Sequence, residues 1–176
     1  MKLHLGCGKK HIPGFIHVDV EDFPHIDFRM PVNHLSFAKD ASVELIYASH
    51  VLEHFGRHEL DQVLHEWFRV LRKGGVLRVA VPDFEAVAMR YGSTHELSEL
   101  IGLVSGGQRN EYDFHKMVFD ERLLRSRLLQ TGFSSVARYD WRNTEHAWLD
   151  DYSQAYLPHL DKEHGQLMSL NMEAVK

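Results

Sequence analysis

The chain has 176 residues, enough for one hydrophobic core, and its 44% apolar and 26% charged content is that of a globular domain. A single cysteine excludes a disulfide framework and suits a reducing, cytoplasmic setting, while no apolar run approaches the roughly 18 residues of a membrane span. The net charge of −5 with scattered arginines argues against a nucleic-acid partner, and the fourteen histidines leave metal binding, acid–base chemistry and a pH-sensitive surface open.

In chain order, a short apolar strand runs from Lys2 into Gly6-Cys7-Gly8, and a second strand, Phe15 to Val18, ends on Asp19. Strand and glycine loop begin at once, which is not the layout of a signal peptide. Glycines after a strand let backbone approach a ligand closely, and an acid ending the next strand suits a vicinal diol such as a ribose. His25 to Arg29 is a possible short strand ending near Asp27, followed by a loop from Met30 to Ala41. Val43 to Ser49 reads as a buried strand. Leu60, Val63, Leu64, Trp67, Phe68 and Leu71 then recur at helical spacing, predicting a helix over about Arg57 to Arg72 stopped by Lys73-Gly74-Gly75.

Val76 to Val81 is the next predicted strand, with Pro82-Asp83 breaking it and capping a helix through Tyr91. Ser93-Thr94-His95-Glu96 has capping-box spacing and predicts a helix toward Ser105. Gly106 to Lys116 is a long polar loop with aromatic residues, and Asp120 to Thr131 is an amphipathic helix closed by Gly132. Two strands follow, about Val136 to Arg142 and Leu167 to Val175, joined by an irregular segment rich in Tyr, Trp, Asp and His. Alternating strands and helices make a mostly parallel sheet, whose ligands sit beyond the carboxyl ends of the strands. Gly6 to Gly8, Asp19, Asp27, Ser49-His50 and Pro82-Asp83 are all predicted at such ends, so they converge on one edge. No internal repeat or linker divides the chain, and residues 1–176 read as one domain.

With LHLGCG at Leu3 to Gly8, Val18-Asp19, IYASHVLEHF at Ile46 to Phe55, VLRKGGVLRVAVPD at Val70 to Asp83 and Thr131-Gly132-Phe133, the sequence resembles class I S-adenosylmethionine-dependent methyltransferases. It is most similar to the small methyltransferase-type-11-like group, over nearly its whole length. The resemblance implies a Rossmann-like α/β fold, a seven-stranded mostly parallel sheet with an antiparallel C-terminal strand pair, and S-adenosyl-L-methionine as cofactor. It implies that Gly6, Cys7 and Gly8 approach the methionine part, that Asp19 binds the ribose hydroxyls, and that Asp27 with Phe28 lies at the adenine. Ser49 and His50 would line the floor near the sulfonium. Cys7 itself reads as a small packing residue.

One departure stands out. Asp19 follows Gly8 by only eleven positions, with Pro13-Gly14 between them, so the first helix is expected to be shortened or absent. A cation loses less than a pyrophosphate from a missing helix dipole, which favours S-adenosylmethionine over a dinucleotide. Methyl transfer needs positioning, exclusion of water and, for a hydroxyl acceptor, a base. The Gly106–Lys116 loop is the expected acceptor lid, with Tyr112, Asp113 and His115 as substrate contacts, His115 as the base, and His50 and His54 behind it. The expected acceptor is a small molecule or saccharide-like: no basic nucleic-acid surface is evident, the loop is polar with aromatic residues, and the resemblance implies an association with sugar and cell-envelope metabolism.

Two other readings are compatible with the sequence. His50-Val51-Leu52-Glu53-His54 spells the inverted zincin signature, in which a helix would set both histidines on one zinc with Glu53 as base. That reading gives the glycine loop no role, and no metal is expected. The short first connection also raises a cofactor-binding protein without catalysis. Oligomeric state is not legible.

Overall fold

The computed structural model describes residues 1–176. Nine strands form: β1 Lys2–Leu5, β2 Ile16–Asp19, β3 Phe28–Arg29, β4 Val43–Ser49, β5 Leu71–Pro82, β6 Ser135–Arg138, β7 Tyr156–Leu157, β8 Gln166–Leu167 and β9 Ser169–Val175. The helices are α1 Leu60–Val70, α2 Phe84–Thr94, α3 Ile101–Ser105 and α4 Glu121–Thr131. Seven strands make one sheet in the order β3-β2-β1-β4-β5-β9-β6, and β7 and β8 pair separately. All neighbours in the sheet are parallel except β9, which runs antiparallel to both β5 and β6. Strand order reverses between β1 and β4, and that crevice is where open α/β sheets bind ligands. No helix is long and apolar enough to cross a membrane.

The two faces of the sheet differ in chemistry. Leu3, Leu5, Ile46, Leu77, Val79, Leu170 and Met172 point to one face and join Leu64, Trp67, Leu124 and Leu128 of α1 and α4 in the main core. On the other face the register sets His17, His4, Tyr47, Arg78 and Glu173 side by side across five strands. Only turns join β1 to β2, so no first helix covers this row. The segment between β6 and β7 covers it instead. His146 packs on the Tyr47 ring at 4.1 Å, Tyr47 donates to Asp151 Oδ2 at 2.6 Å, and Arg78 donates to both Glu145 and Glu173 at 2.9 Å. Leu149 completes a small apolar cluster there with Ile12, Phe15 and Leu45. The irregular Tyr/Trp/Asp-rich segment is therefore the cover for a sheet face that lacks its helix.

Several local expectations shift. Lys73-Gly74-Gly75 does not stop α1, which ends at Val70; Gly74 lies within β5 with φ +71°, beside a register shift against β4. A side chain at Gly75 would stand 2.8 Å from Arg72 O, so the glycines permit a bulge. The Ser93–Glu96 pattern does not open a helix. Ser93 and Thr94 hydroxyls donate back to Arg90 O and finish α2, and α3 begins only at Ile101. Asp83 does cap α2, accepting from Glu85 and Ala86 N–H. Strand β6 stops at Arg138 because Asp140 caps a single 3-10 turn at Trp141–Asn143.

Candidate functional site

Gly6 and Gly8 leave β1 in the left-handed region, at φ +61° and +51°. Gly6 N–H donates to Val18 O at 2.8 Å, and Gly8 N–H donates to Asp19 Oδ2 at 2.7 Å. The other Asp19 oxygen accepts Glu21 N–H at 2.9 Å. Asp19 is only 7% exposed, and two charge-assisted bonds fix its carboxylate against the glycine loop. Each oxygen keeps a second lone pair, the number a vicinal diol needs. A Cβ at Gly6 would collide with Val51 Cγ2 at 2.5 Å, whereas one at Gly8 would meet nothing within 4 Å. The loop is thus packed at its first glycine and open at the second, an arrangement that fits an adenosyl group lying along it. Cys7 is buried, and burial together with Asp19 pushes its thiol up to about 12, so it is a packing group.

Beyond β2 a cavity of about 540 Å³ opens between Val20–Phe23, Arg29 and Asn110–Tyr112 of the loop before α4. Asn110 donates to Glu21 at 3.0 Å and ties the 106–116 loop to the segment after β2. Asp27 is not at a strand's carboxyl end as expected: it precedes β3, and its carboxylate accepts the main-chain N–H of His17 at 2.8 Å. Phe28 stacks on Phe37 at 3.9 Å. A strand of two residues leaves the acid no room to emerge beyond it. Asp113 accepts from Arg109 at 2.6 Å and closes its own loop, while Tyr112 is exposed at the cavity.

The second half of the site forms where β4 ends. Ser49 is followed by His50 at φ +55°, a strained conformation for a non-glycine residue, and then by a single 3-10 turn, Leu52–His54. His50 and His54 therefore do not share an α-helical face, and the geometry of an inverted zincin helix is not formed. His50 instead reaches Ser169 Oγ at 3.3 Å and Glu53 Oε1 at 3.4 Å, with the Tyr152 ring stacked on it at 5.2 Å.

The end of the 106–116 loop folds back onto the turn: Lys116 and Met117 N–H both donate to Glu53 O, at 2.7 and 3.1 Å. His115 thereby stands 4.9 Å from His54, ring to ring, and 3.9 Å from Glu53 Oε1. Burial lowers all three histidines, His50 to about 3, and raises Glu53 to about 8. The structure brings His50, His54 and His115 together as one cluster around Glu53, a residue the sequence reading used only in its zinc alternative. Tyr152 and Ser169 also join the cluster without any local signal. Only the pairing of a strand end with a distant segment brings them there.

Residues 13–79 match the model of a methyltransferase domain. An S-adenosylmethionine-dependent methyltransferase from Archaeoglobus fulgidus superimposes with TM-score 0.59 and 16% identity, over 99% of this chain and 85% of that one. A possible histamine N-methyltransferase from Thermotoga maritima does so with TM-score 0.59 and 14% identity, over 99% and 81%. The 1,6-didemethyltoxoflavin N1-methyltransferase of Burkholderia thailandensis, solved with its substrate and S-adenosylhomocysteine, gives TM-score 0.59 and 16% identity, over 99% and 70%. No curated protein matches in sequence. At these identities the solved structures share a fold, the seven-stranded sheet with its reversed last strand. Over residues 13–79 the chain thus matches a methyltransferase domain, and as a whole it shares the fold of solved S-adenosylmethionine-dependent methyltransferases.

Proposed function

We propose that this chain, acting as a single domain, transfers a methyl group from S-adenosylmethionine to a small-molecule or saccharide-like acceptor held under the Gly106–Lys116 lid. The observation that carries the cofactor half is the bonding of Asp19 to Gly8, which sets a buried carboxylate against an open glycine at the switch point. In this reading Gly6, Cys7 and Gly8 give main-chain contacts to the methionine part, and Asp19 takes the ribose hydroxyls. Asp27 and Phe28 have other partners, so the adenine contact moves to Val20 and Phe23 at the cavity. Ser49 and His50 form the floor. Bound S-adenosylmethionine supplies a methyl carbon already activated by its sulfonium. The protein's part is to orient the acceptor, exclude water and hold the acceptor's proton. His115 is the base on the lid, with His50 and His54 beside it, and burial keeps all three neutral and able to accept.

A small acceptor is supported by the exposed Tyr112 and Tyr152 and the polar lid rather than by any basic surface. Among the similar folds, the Burkholderia enzyme is named for a small heteroaromatic substrate. Calorimetry with S-adenosylhomocysteine tests the cofactor half. Asp19→Ala is expected to weaken binding by about 2 kcal/mol, roughly 30-fold, the scale of a lost charge-assisted hydrogen bond. An unchanged affinity would overturn the assignment. His115→Ala is expected to cut turnover and leave that affinity intact.

A further inference from the structure

Glu53 is 0% exposed, and neither of its carboxylate oxygens accepts a hydrogen bond. A buried carboxylate that accepts no hydrogen bond, with only the His50 and His115 rings near one oxygen at 3.4 and 3.9 Å, is costly and asks for an explanation. Its surroundings are specific. His54 Nδ1 donates to Phe114 O at 3.1 Å, and His115 Nδ1 donates to Leu103 O at 3.0 Å. Carbonyls only accept, so both imidazoles must carry their proton on Nδ1 and leave an Nε2 lone pair. Fixing the tautomer of a histidine by a hydrogen bond from its other nitrogen is how proteins orient metal-ligating imidazoles.

A ligand atom of Glu53, of His54 and of His115 lie within 4.8 Å of one another. Ligands on one cation at 2.0–2.2 Å stand roughly 3–3.5 Å apart, so closing the set needs movements of about 1 Å. The set comes from two segments: the turn after β4 supplies two members and the lid supplies the third. The bonds from Lys116 and Met117 to Glu53 O already hold those segments together. Two imidazoles and one carboxylate suit a borderline transition metal rather than magnesium or calcium, and three protein ligands leave a position open. The cluster also adjoins the cofactor loop, since Val51, two residues before Glu53, packs against Gly6.

We propose that Glu53, His54 and His115 hold a divalent cation of the zinc or cobalt class whose open position takes a hydroxyl oxygen of the acceptor. The second half rests on the methyltransferase reading above; the first does not. With the cation bound, His54 and His115 serve as ligands in place of the base role given to them above, and a hydroxyl on the cation, made more acidic, gives its proton to water. Its oxygen lone pair then forms the bond to the methyl carbon, and the electron pair of the breaking carbon–sulfur bond stays on sulfur. The acceptor class is thus an alcohol or phenol rather than an amine. His50, turned to Ser169, orients Glu53 and is a positioning residue.

The test titrates the chelator-stripped full chain with cobalt(II), following its visible absorption and heat of binding. One cobalt per chain is expected, with affinity falling at least tenfold in Glu53→Gln, His54→Gln and His115→Gln and unchanged in His164→Gln, whose side chain is exposed beside Asp161 and outside the cluster. His115→Gln lies on the lid and keeps the test valid if Glu53→Gln does not fold. Adding catechol, a diol probe, is expected to shift the cobalt spectrum. No stoichiometric cobalt, or binding that survives both Glu53→Gln and His115→Gln, overturns the cation site; an unmoved spectrum with catechol overturns the hydroxyl half. S-adenosylhomocysteine affinity, measured on the same samples, separates the two readings. Cobalt bound without any cofactor affinity would sink the methyltransferase roles and leave the cation site standing.

Discussion

Gly6 is the position where one methyl group has a calculable effect on both stability and binding. An alanine there must hold φ +61°, which costs an L-residue about 1–2 kcal/mol, less the 0.4–1 kcal/mol regained from a stiffer unfolded chain. Its Cβ would also lie 2.5 Å from Val51 Cγ2, against an optimum near 3.5–4 Å, and such overpacking costs about 1–3 kcal/mol. The sum is about 1–4.5 kcal/mol, centred near 3 kcal/mol, or roughly 10 °C in unfolding temperature for a chain of this size. Gly8→Ala carries only the backbone part, because nothing lies within 4 Å of its Cβ. Thermal unfolding by circular dichroism is expected to rank the variants wild type, Gly8→Ala, Gly6→Ala. Gly6→Ala combined with Val51→Ala should lose less than the sum of its singles, since the collision is gone. Binding of S-adenosylhomocysteine should fall in both glycine variants, and in Gly8→Ala far more than stability does. Equal unfolding temperatures for the two, or strict additivity with Val51→Ala, would refute the reasoning.

Two further outcomes follow from the same geometry. Cys7, its thiol pushed up to about 12, should resist iodoacetamide in the native protein near pH 8 and react only once urea unfolds the chain, as mass spectrometry would record. Glu145 is pushed up by burial, but its main-chain bond, Arg78 and Lys2 outweigh this and hold it down to about 2. A carboxyl lowered in the fold contributes stability that is full above its ordinary value of 4.5 and is lost as pH falls toward 2. The urea midpoint should therefore drop across that range, and Glu145→Gln should flatten the drop; equal slopes would contradict it.

The features legible in the sequence were those set by neighbouring residues. Gly6 to Gly8 after an apolar strand, Asp83 before a helix and the apolar spacing of Leu60 to Trp67 each act within a few positions. What escaped depends on contacts far along the chain. The polar row of His4, His17, Tyr47, Arg78 and Glu173 exists only once five strands are in register, and the segment that covers it lies about a hundred residues from Tyr47. The Ser93–Glu96 pattern misled because the hydroxyls bonded backward to Arg90 instead of forward. Asp27 looked like a strand-end acid, yet β3 is too short for the acid to emerge there. Glu53 stands in plain view between His50 and His54, but its proximity to His115 at 3.9 Å depends on the Gly106–Lys116 loop, which comes from another segment.

The most direct measurement is an amide-resolved NMR titration of the 15N-labelled chain with S-adenosylhomocysteine. The account predicts that the largest shifts fall on Gly6, Gly8, Asp19, Val20 and Glu21, with a second group at Ser49 and His50. Shifts confined to the face around His4, Tyr47 and His146, or none at saturating ligand, would contradict it.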